Sequence, residues 1–161
     1  GWLWKLHKVH HVDLEIDVTS GLRFHPGEIF LSLLIKCVAV VFMGVPVVVV
    51  IISESLINSA AMFNHGNIAI PQDKDHLLRR FIVTPDMHRI HHSVIVRETN
   101  SNYGFCLSWW DYLFHSYTDQ PEKGHDDMQI GLSHYRSFAQ HTLFYLIKLP
   151  FIRSSSDGTS S

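Results

Sequence analysis

The chain has 161 residues, enough for one domain, and a formal net charge of −2. That balance leaves no basic footprint, so nucleic acid is not an expected partner. Its two cysteines, Cys37 and Cys106, fit neither a disulfide framework nor a zinc ribbon, so each reads as a small buried hydrophobe. Metal chemistry, if any, falls to the 13 histidines.

In chain order, Gly1 stands where an initiator Met would be and no signal peptide follows, so further sequence is expected upstream in the intact gene product. Residues 2–12 have a helical pattern and carry His7, His10 and His11. Positions i, i+3 and i+4 share one helix face, so this triplet is expected to aim three imidazoles at a single point. Asp13 to Val18 alternates acidic and apolar residues and reads as a short polar connection. Pro26 suits a first helical turn, and Glu28 suits the positive end of a helix.

From Ile29 to Ile57 the only charges are Lys36 and Glu54, a pattern that points to a membrane. Gly44-Val45-Pro46 splits the run into two pieces of about fifteen residues, each roughly 23 Å as a helix against a hydrocarbon core of about 30 Å. If histidines on both sides of the run share a site, the chain must return to the side it left. That requires a tight or re-entrant helical hairpin turning at Gly44–Pro46. One long Pro-kinked helix is the alternative if they do not share a site. Lys5, Lys8, Arg23, Lys74, Arg79, Arg80 and Arg89 flank the run on both sides, which puts both flanks, and the metal site, on the cytoplasmic face.

Polar loops follow at residues 64–67 and 71–75, then a short interfacial helix at 77–83. Thr84 is a good N-cap with Pro85 at the first helical position, so a helix should begin there. It carries the second copy of the spacing, His88, His91 and His92. Residues 94–118 are loop-rich, with Trp109 and Trp110 suited to an interfacial aromatic belt. Residues 140–149 read as an apolar-aromatic helix ending at Pro150 and lying on the bilayer surface. Residues 154–161 form a disordered tail beyond a domain spanning 1–153. The expected fold is therefore all-α, an integral membrane helical bundle with a histidine-rich cytosolic cap. Six neutral imidazoles in two matched triplets suit zinc, copper, iron or nickel.

The segments Leu6-His-Lys-Val-His-His11, Gly21-Leu-Arg-Phe-His-Pro26, Thr84-Pro-Asp-Met-His-Arg-Ile-His-His92, Asn100-Ser-Asn-Tyr-Gly104 and Trp110-Asp-Tyr-Leu-Phe114 come in one order. Together they closely resemble the fatty acid hydroxylase/sterol desaturase superfamily over residues 2–119. The resemblance implies an integral membrane enzyme whose histidine boxes bind two iron ions, activate dioxygen and hydroxylate or desaturate a fatty acyl, sterol or related lipid. An earlier family box, His-x3-4-His, has no counterpart in this chain, so the domain reads as N-terminally incomplete. A catalytically inactive metal- or lipid-binding relative is the alternative.

Carried over residue by residue, the resemblance makes His7, His10, His11, His65, His88, His91 and His92 metal ligands. The local alternative for His65 is a loop histidine bonded to Asn64 or Asn67. His25 fits a structural or second-shell role better than ligation. Glu98, Asn102 and Asp111 lie near the second triplet and are candidates to receive the other ring N–H of a ligating histidine. His76, His115, His125, His134 and His141 have no ligand spacing. His25-Pro-Gly-Glu28 only brushes the haem motif of cytochrome b5, and no flavin or nicotinamide fingerprint occurs. Neither bound haem, flavin nor nicotinamide is therefore expected, and electrons should come from an external donor, cytochrome b5-like or ferredoxin-type. A zinc hydrolase would want His-Glu-x-x-His, which is absent from the sequence.

Overall fold

Two isolated bridges, Ile82 with Leu107 and Ser93 with Ile130, are the nearest approach to a sheet in the computed structural model, which describes residues 1–152. The expected tail lies outside the described residues. The α-helices, in order, are α1 (Trp2–His7), α2 (Pro26–Met43), α3 (Val47–Asn64), α4 (Gln72–Leu78) and α5 (Pro85–His91). They continue with α6 (Val96–Thr99), α7 (Trp109–Leu113), α8 (Gly124–Asp127) and α9 (Leu143–Lys148). Single 3-10 turns occur at His10–Val12, Ser20–Leu22, Phe138–His141 and Leu149–Phe151.

The start of α2 follows from its first residues. Pro26 fills the first turn, Glu28 faces the positive helix end, and the His25 ring accepts the Gly27 N–H at 3.0 Å. The helix stops at Gly44, whose φ of 62° is left-handed and cheap only for glycine. Gly44 and Val45 return their N–H groups to Val41 and Val40, a Schellman closure, and Pro46 then opens α3. Lys36 Nζ meets the Glu54 carboxylate at 2.8 Å, so α3 runs back beside α2. The apolar run is therefore a hairpin turning at Gly44–Pro46, not one kinked helix.

Each arm has 18 residues, longer than expected, because α2 already starts at Pro26 and α3 runs on to Asn64. At 1.5 Å per residue each rises about 27 Å, near the thickness of a hydrocarbon core. Both are long and apolar enough to cross a membrane. Among their residues only Ala61 and Asn64 are buried, so valine, isoleucine, leucine and phenylalanine side chains face outward along both arms.

Elsewhere the local structure departs from the sequence expectation. Residues 2–12 are not one helix. α1 ends at His7, and the chain tightens into a 3-10 turn at His10–Val12. Val9 and Val12 are drawn into a core with Tyr135 and Leu149, flanked by Leu132, Tyr145 and Leu146. That burial outweighs continuation of a short helix. The helix expected at 77–83 forms instead at Gln72–Leu78, where Pro71 precedes it and Asp73 and Asp75 occupy its first turn. Ile82 and Val83 pair with Leu107 and Cys106. The 94–118 stretch contains α6 and α7, and the helix expected at 140–149 is divided at Thr142. At α5 the expectation holds, since Thr84 Oγ1 accepts the Met87 N–H at 3.4 Å and Pro85 sits in the first turn.

Candidate metal centre

Four short stretches deliver seven imidazoles to one volume. His7 ends α1, His10 and His11 lie in the 3-10 turn, His65 follows the last residue of α3, and His88 and His91 lie on α5 with His92 as its C-cap. Ring centroids of His11 and His92 are 4.4 Å apart, those of His65 and His88 4.5 Å, and those of His11 and His91 4.6 Å. Residues before and after the hairpin therefore meet on one side of it.

The triplets do not each aim at one point, as their spacing alone implies. Possible ligand atoms fall into two groups, His10 with His65, His88 and His92, and His7 with His11 and His91, each within 4.8 Å internally. Each triplet divides its members in the same way. The i, i+4 pair His88/His92 enters the four-histidine group while His91 enters the other. The pair His7/His11 enters the three-histidine group while His10 crosses over. His65 makes the fourth member.

The ring protons can be assigned from the acceptors around them. His65 Nδ1 lies 2.7 Å from the Ala61 carbonyl and His10 Nδ1 lies 3.3 Å from that of Arg23. A carbonyl only accepts, so each Nδ1 carries the proton and each Nε2 presents a lone pair. Those two Nε2 atoms are 3.1 Å apart. His88 Nε2 lies 3.1 Å from His65 Nε2 and 3.2 Å from His92 Nε2. In the second group, His91 Nδ1 donates to the Ser101 carbonyl at 2.9 Å and His7 Nδ1 to Glu28 Oε1 at 2.8 Å. Their Nε2 atoms are likewise left bare. Both nitrogens of fully buried His11 have no hydrogen-bond partner among the described residues. An unsatisfied buried polar atom costs about 1–3 kcal/mol, and facing lone pairs add repulsion, so this donor set fits a cation.

Electrostatics agree. Burial is the first cause holding His10, His11, His88 and His92 well below the usual imidazole value, with neighbouring imidazoles adding to it. Burial also lowers His65, and it lowers His91 to about 4 against the opposing hydrogen bond to Ser101. These six imidazoles are thus neutral at pH 7 and ready to ligate without losing protons.

Aromatic rings close the rim. Phe24 stacks on His10 at 4.5 Å, Trp4 lies 5.1 Å from His11, and Tyr103 meets His91 edge-on at 5.5 Å. The four-histidine group is wholly buried, whereas the His7 side chain is 33% exposed.

The remaining candidates do other work. His65 bonds neither Asn64 nor Asn67, but its own helix at Ala61. His25 caps α2 and contacts the Ile147 carbonyl through Nε2 at 3.1 Å, tying the hairpin to α9 rather than joining either group. Glu98, Asn102 and Asp111 make no hydrogen bond to an imidazole among the described residues. Glu98 accepts from the Glu122 N–H, and Asn102 bonds the Met87 and Thr118 backbone. Asp111 accepts from the Tyr103 and Gly104 N–H groups and from the Ser116 hydroxyl. They brace the loop beneath α5. Glu28 is a carboxylate that does hold a cluster imidazole, although its sequence position suits only the helix end. Its distance of 21 residues from His7 left no local signal. His76, His115, His125, His134 and His141 lie in neither group.

Residues 1–116 match the family model described as Fatty acid hydroxylase. The chain is also 27% identical over 128 residues to the ornithine lipid hydroxylase OlsE of Rhizobium tropici, an overlap covering 80% of this chain and 38% of that protein. No solved structure matches. The chain belongs to the fatty acid hydroxylase family.

Proposed function

We propose that the chain forms the metal-binding portion of a membrane-bound di-iron oxygenase that hydroxylates a lipid with dioxygen and electrons from a separate carrier. The observation that carries this reading is the division of seven histidines into two adjoining groups, with the His10 and His65 lone pairs facing each other. His10, His65, His88 and His92 would hold one ion, and His7, His11 and His91 the other. Iron in these positions supplies the redox chemistry needed to activate dioxygen toward an unreactive C–H bond, which zinc lacks.

The protein's own residues orient and protect the site. Ala61, Arg23, Ser101 and Glu28 fix four ring planes through Nδ1, and Glu28 adds a negative charge beside His7. Phe24 and Trp4 keep water from the rings they cover. The hairpin lies in the bilayer with the histidines at its cytoplasmic face, where a cytochrome b5-like or ferredoxin-type donor has access. Hydroxylation is favoured over desaturation by the family match and by the OlsE relative, and a preorganised donor set argues against an inactive remnant. The relative's name makes an ornithine lipid the first substrate to try.

The test is lipid mass spectrometry on membranes expressing the intact gene product, fed ornithine lipid with and without oxygen. A product one oxygen atom heavier, dependent on dioxygen and lost in His91→Ala or His92→Ala, is expected. A product formed without oxygen, or one unchanged in both variants, would refute the reading.

A further inference from the structure

The backbone at Asn102-Tyr103-Gly104 is held more tightly than its place in a loop requires. Asn102 sits at φ 50°, in the left-handed region, and is fully buried. Its side chain donates to the Met87 and Thr118 carbonyls at 2.9 Å and accepts the Thr118 N–H at 2.8 Å. Asp111, also buried, receives the Tyr103 N–H at 2.7 Å and the Gly104 N–H at 2.8 Å. A Cβ at Gly104 would lie 2.6 Å from Asp111 Oδ2 and 2.8 Å from the Leu107 carbonyl, so only glycine permits this approach. Both clamps act on Tyr103, whose own side chain is 59% exposed. The clamp therefore serves the position of that ring rather than its burial.

Tyr103 joins two features. Its ring lies edge-on to His91, a member of the three-histidine group, which has one nitrogen fewer than its neighbour and includes the partly exposed His7. It also lines a cleft of about 520 Å³ with Phe105, Trp110, Phe114 and Asp111. The volume falls within the range of small-molecule sites, about 300–1,000 Å³. The walls are aromatic, and Trp110 and Phe114 are stacked with planes 16° apart. The charged group in the lining, Asp111, has its oxygens occupied by three donors, one of them the Ser116 hydroxyl that also lines the cleft. The cleft thus offers an occupant mainly apolar surface, with the Asp111 and Ser116 side chains already paired to each other and to the backbone. It opens on α7, where Trp109, Trp110, Leu113 and Phe114 are all more exposed than buried, and the Trp109 Nε1–H anchors that helix to the Arg80 carbonyl at 2.8 Å. Tryptophan-rich apolar surface of this kind suits a bilayer interface.

We propose that the cleft between Tyr103 and α7 binds the alkyl chain of the lipid substrate, and that Tyr103 is a positioning residue that directs that chain to the three-histidine group. The inference rests on the lipid-hydroxylase reading for the identity of the occupant, and its geometry is that of Tyr103 bridging cleft and His91. A chain entering from the interface runs along Phe114, Trp110 and Phe105 and ends against Tyr103, beside His91. Replacing the phenol ring by a methyl group removes the end wall, while phenylalanine keeps it.

The experiment is photo-crosslinking of the protein in nanodiscs with a stearoyl-chain phospholipid carrying a diazirine near the chain end, followed by peptide mapping. It needs neither turnover nor bound metal. Labelling within residues 103–116 should saturate and be competed by the unlabelled lipid. Tyr103→Ala should weaken that competition about tenfold, as expected for losing roughly 60 Å² of apolar contact, and Tyr103→Phe should restore it. Thermal unfolding and metal content should be unchanged in both variants, which separates positioning from a structural defect. Labelling confined to the hairpin, unsaturable labelling, or a Tyr103→Ala variant that competes like wild type would overturn the proposal. Should saturable labelling appear in a protein that binds metal but forms no hydroxylated lipid, the cleft stands and the hydroxylase reading fails.

Discussion

His10 and His65 point Nε2 at Nε2 across 3.1 Å, with each ring proton committed on Nδ1 to a backbone carbonyl. No hydrogen is available to lie between them. The contact is repulsive as a pair of neutral imidazoles and becomes favourable with a cation that both nitrogens share. Residues 55 positions apart are brought to this distance by the return of the hairpin and the end of α3. The fold therefore places at its centre a pair of donors that a metal ion would suit.

Glu28 should tune one group and not the other. It is 2.8 Å from His7 Nδ1, in the three-histidine group. Glu28→Gln keeps an acceptor but removes the negative charge beside the His7 ring. Iron affinity at the weaker of two sites should fall about 10- to 100-fold, with the tighter site unchanged. Competition with a chelator measures both. Equal weakening of the two sites, or of neither, would show that Glu28 does not act through His7.

The metal-free protein should lose stability in acid. Buried His91 has its pKa lowered to about 4 from 6.5, and burial lowers His10, His11, His88 and His92 as well. The unfolded chain binds these protons near pH 6.5 and the folded one does not, so the stabilisation is full above that pH. It is lost as pH falls from 6.5 toward about 4, by roughly 1.4 kcal/mol per pH unit for each imidazole. Unfolding midpoints across that range in detergent should drop steeply, and bound metal should shift the fall to lower pH. A flat profile between pH 7 and 5 would contradict neutral packing of the cluster.

Asn102 should prove a structural residue. Asn102→Ala removes its hydrogen bonds to Met87 and Thr118 and leaves a side chain poorly suited to φ 50°. Both effects act together, for a loss of about 3 kcal/mol. Asn102→Gly tolerates the backbone and should lose less. Thermal unfolding compares the two, and equal losses would mean that the left-handed conformation carries no cost.

Much of this was legible in the sequence. Gly44 and Pro46 marked the break in the apolar run, and the need for both histidine triplets to share one side favoured a hairpin over a kinked helix. Helix α5 followed from Thr84 and Pro85, because caps and breakers act over a few residues. The convergence of seven histidines was readable from spacing and family likeness. Their division into two groups was not, since it depends on α1 ending at His7 when Val9 and Val12 are drawn into a core with Tyr135 and Leu149. Those partners lie more than a hundred residues away. The same holds for Glu28 on His7 and for His25 on Ile147, contacts that exist only after the hairpin has closed.

Lys36 and Glu54 supply a test of the hairpin in lipid. Their 2.8 Å contact lies midway along both arms. Glu54→Leu alone strands an ammonium near mid-membrane, at about 3 kcal/mol of apparent insertion free energy, whereas Lys36→Leu/Glu54→Leu removes the penalty. Insertion assays should rank wild type and the double variant together, above the single one. If the single variant inserts as well as wild type, the pair does not sit in hydrocarbon.

The most direct measurement is the iron stoichiometry of the purified intact protein beside His65→Ala and His91→Ala. The account predicts close to two irons per chain in the wild type. Each variant should fall to about one, His65→Ala through the four-histidine group and His91→Ala through the three-histidine group, with distinct Mössbauer signatures for the ion that remains. A single iron in the wild type, zinc in preference to iron under iron-replete expression, or two irons retained in either variant would contradict it.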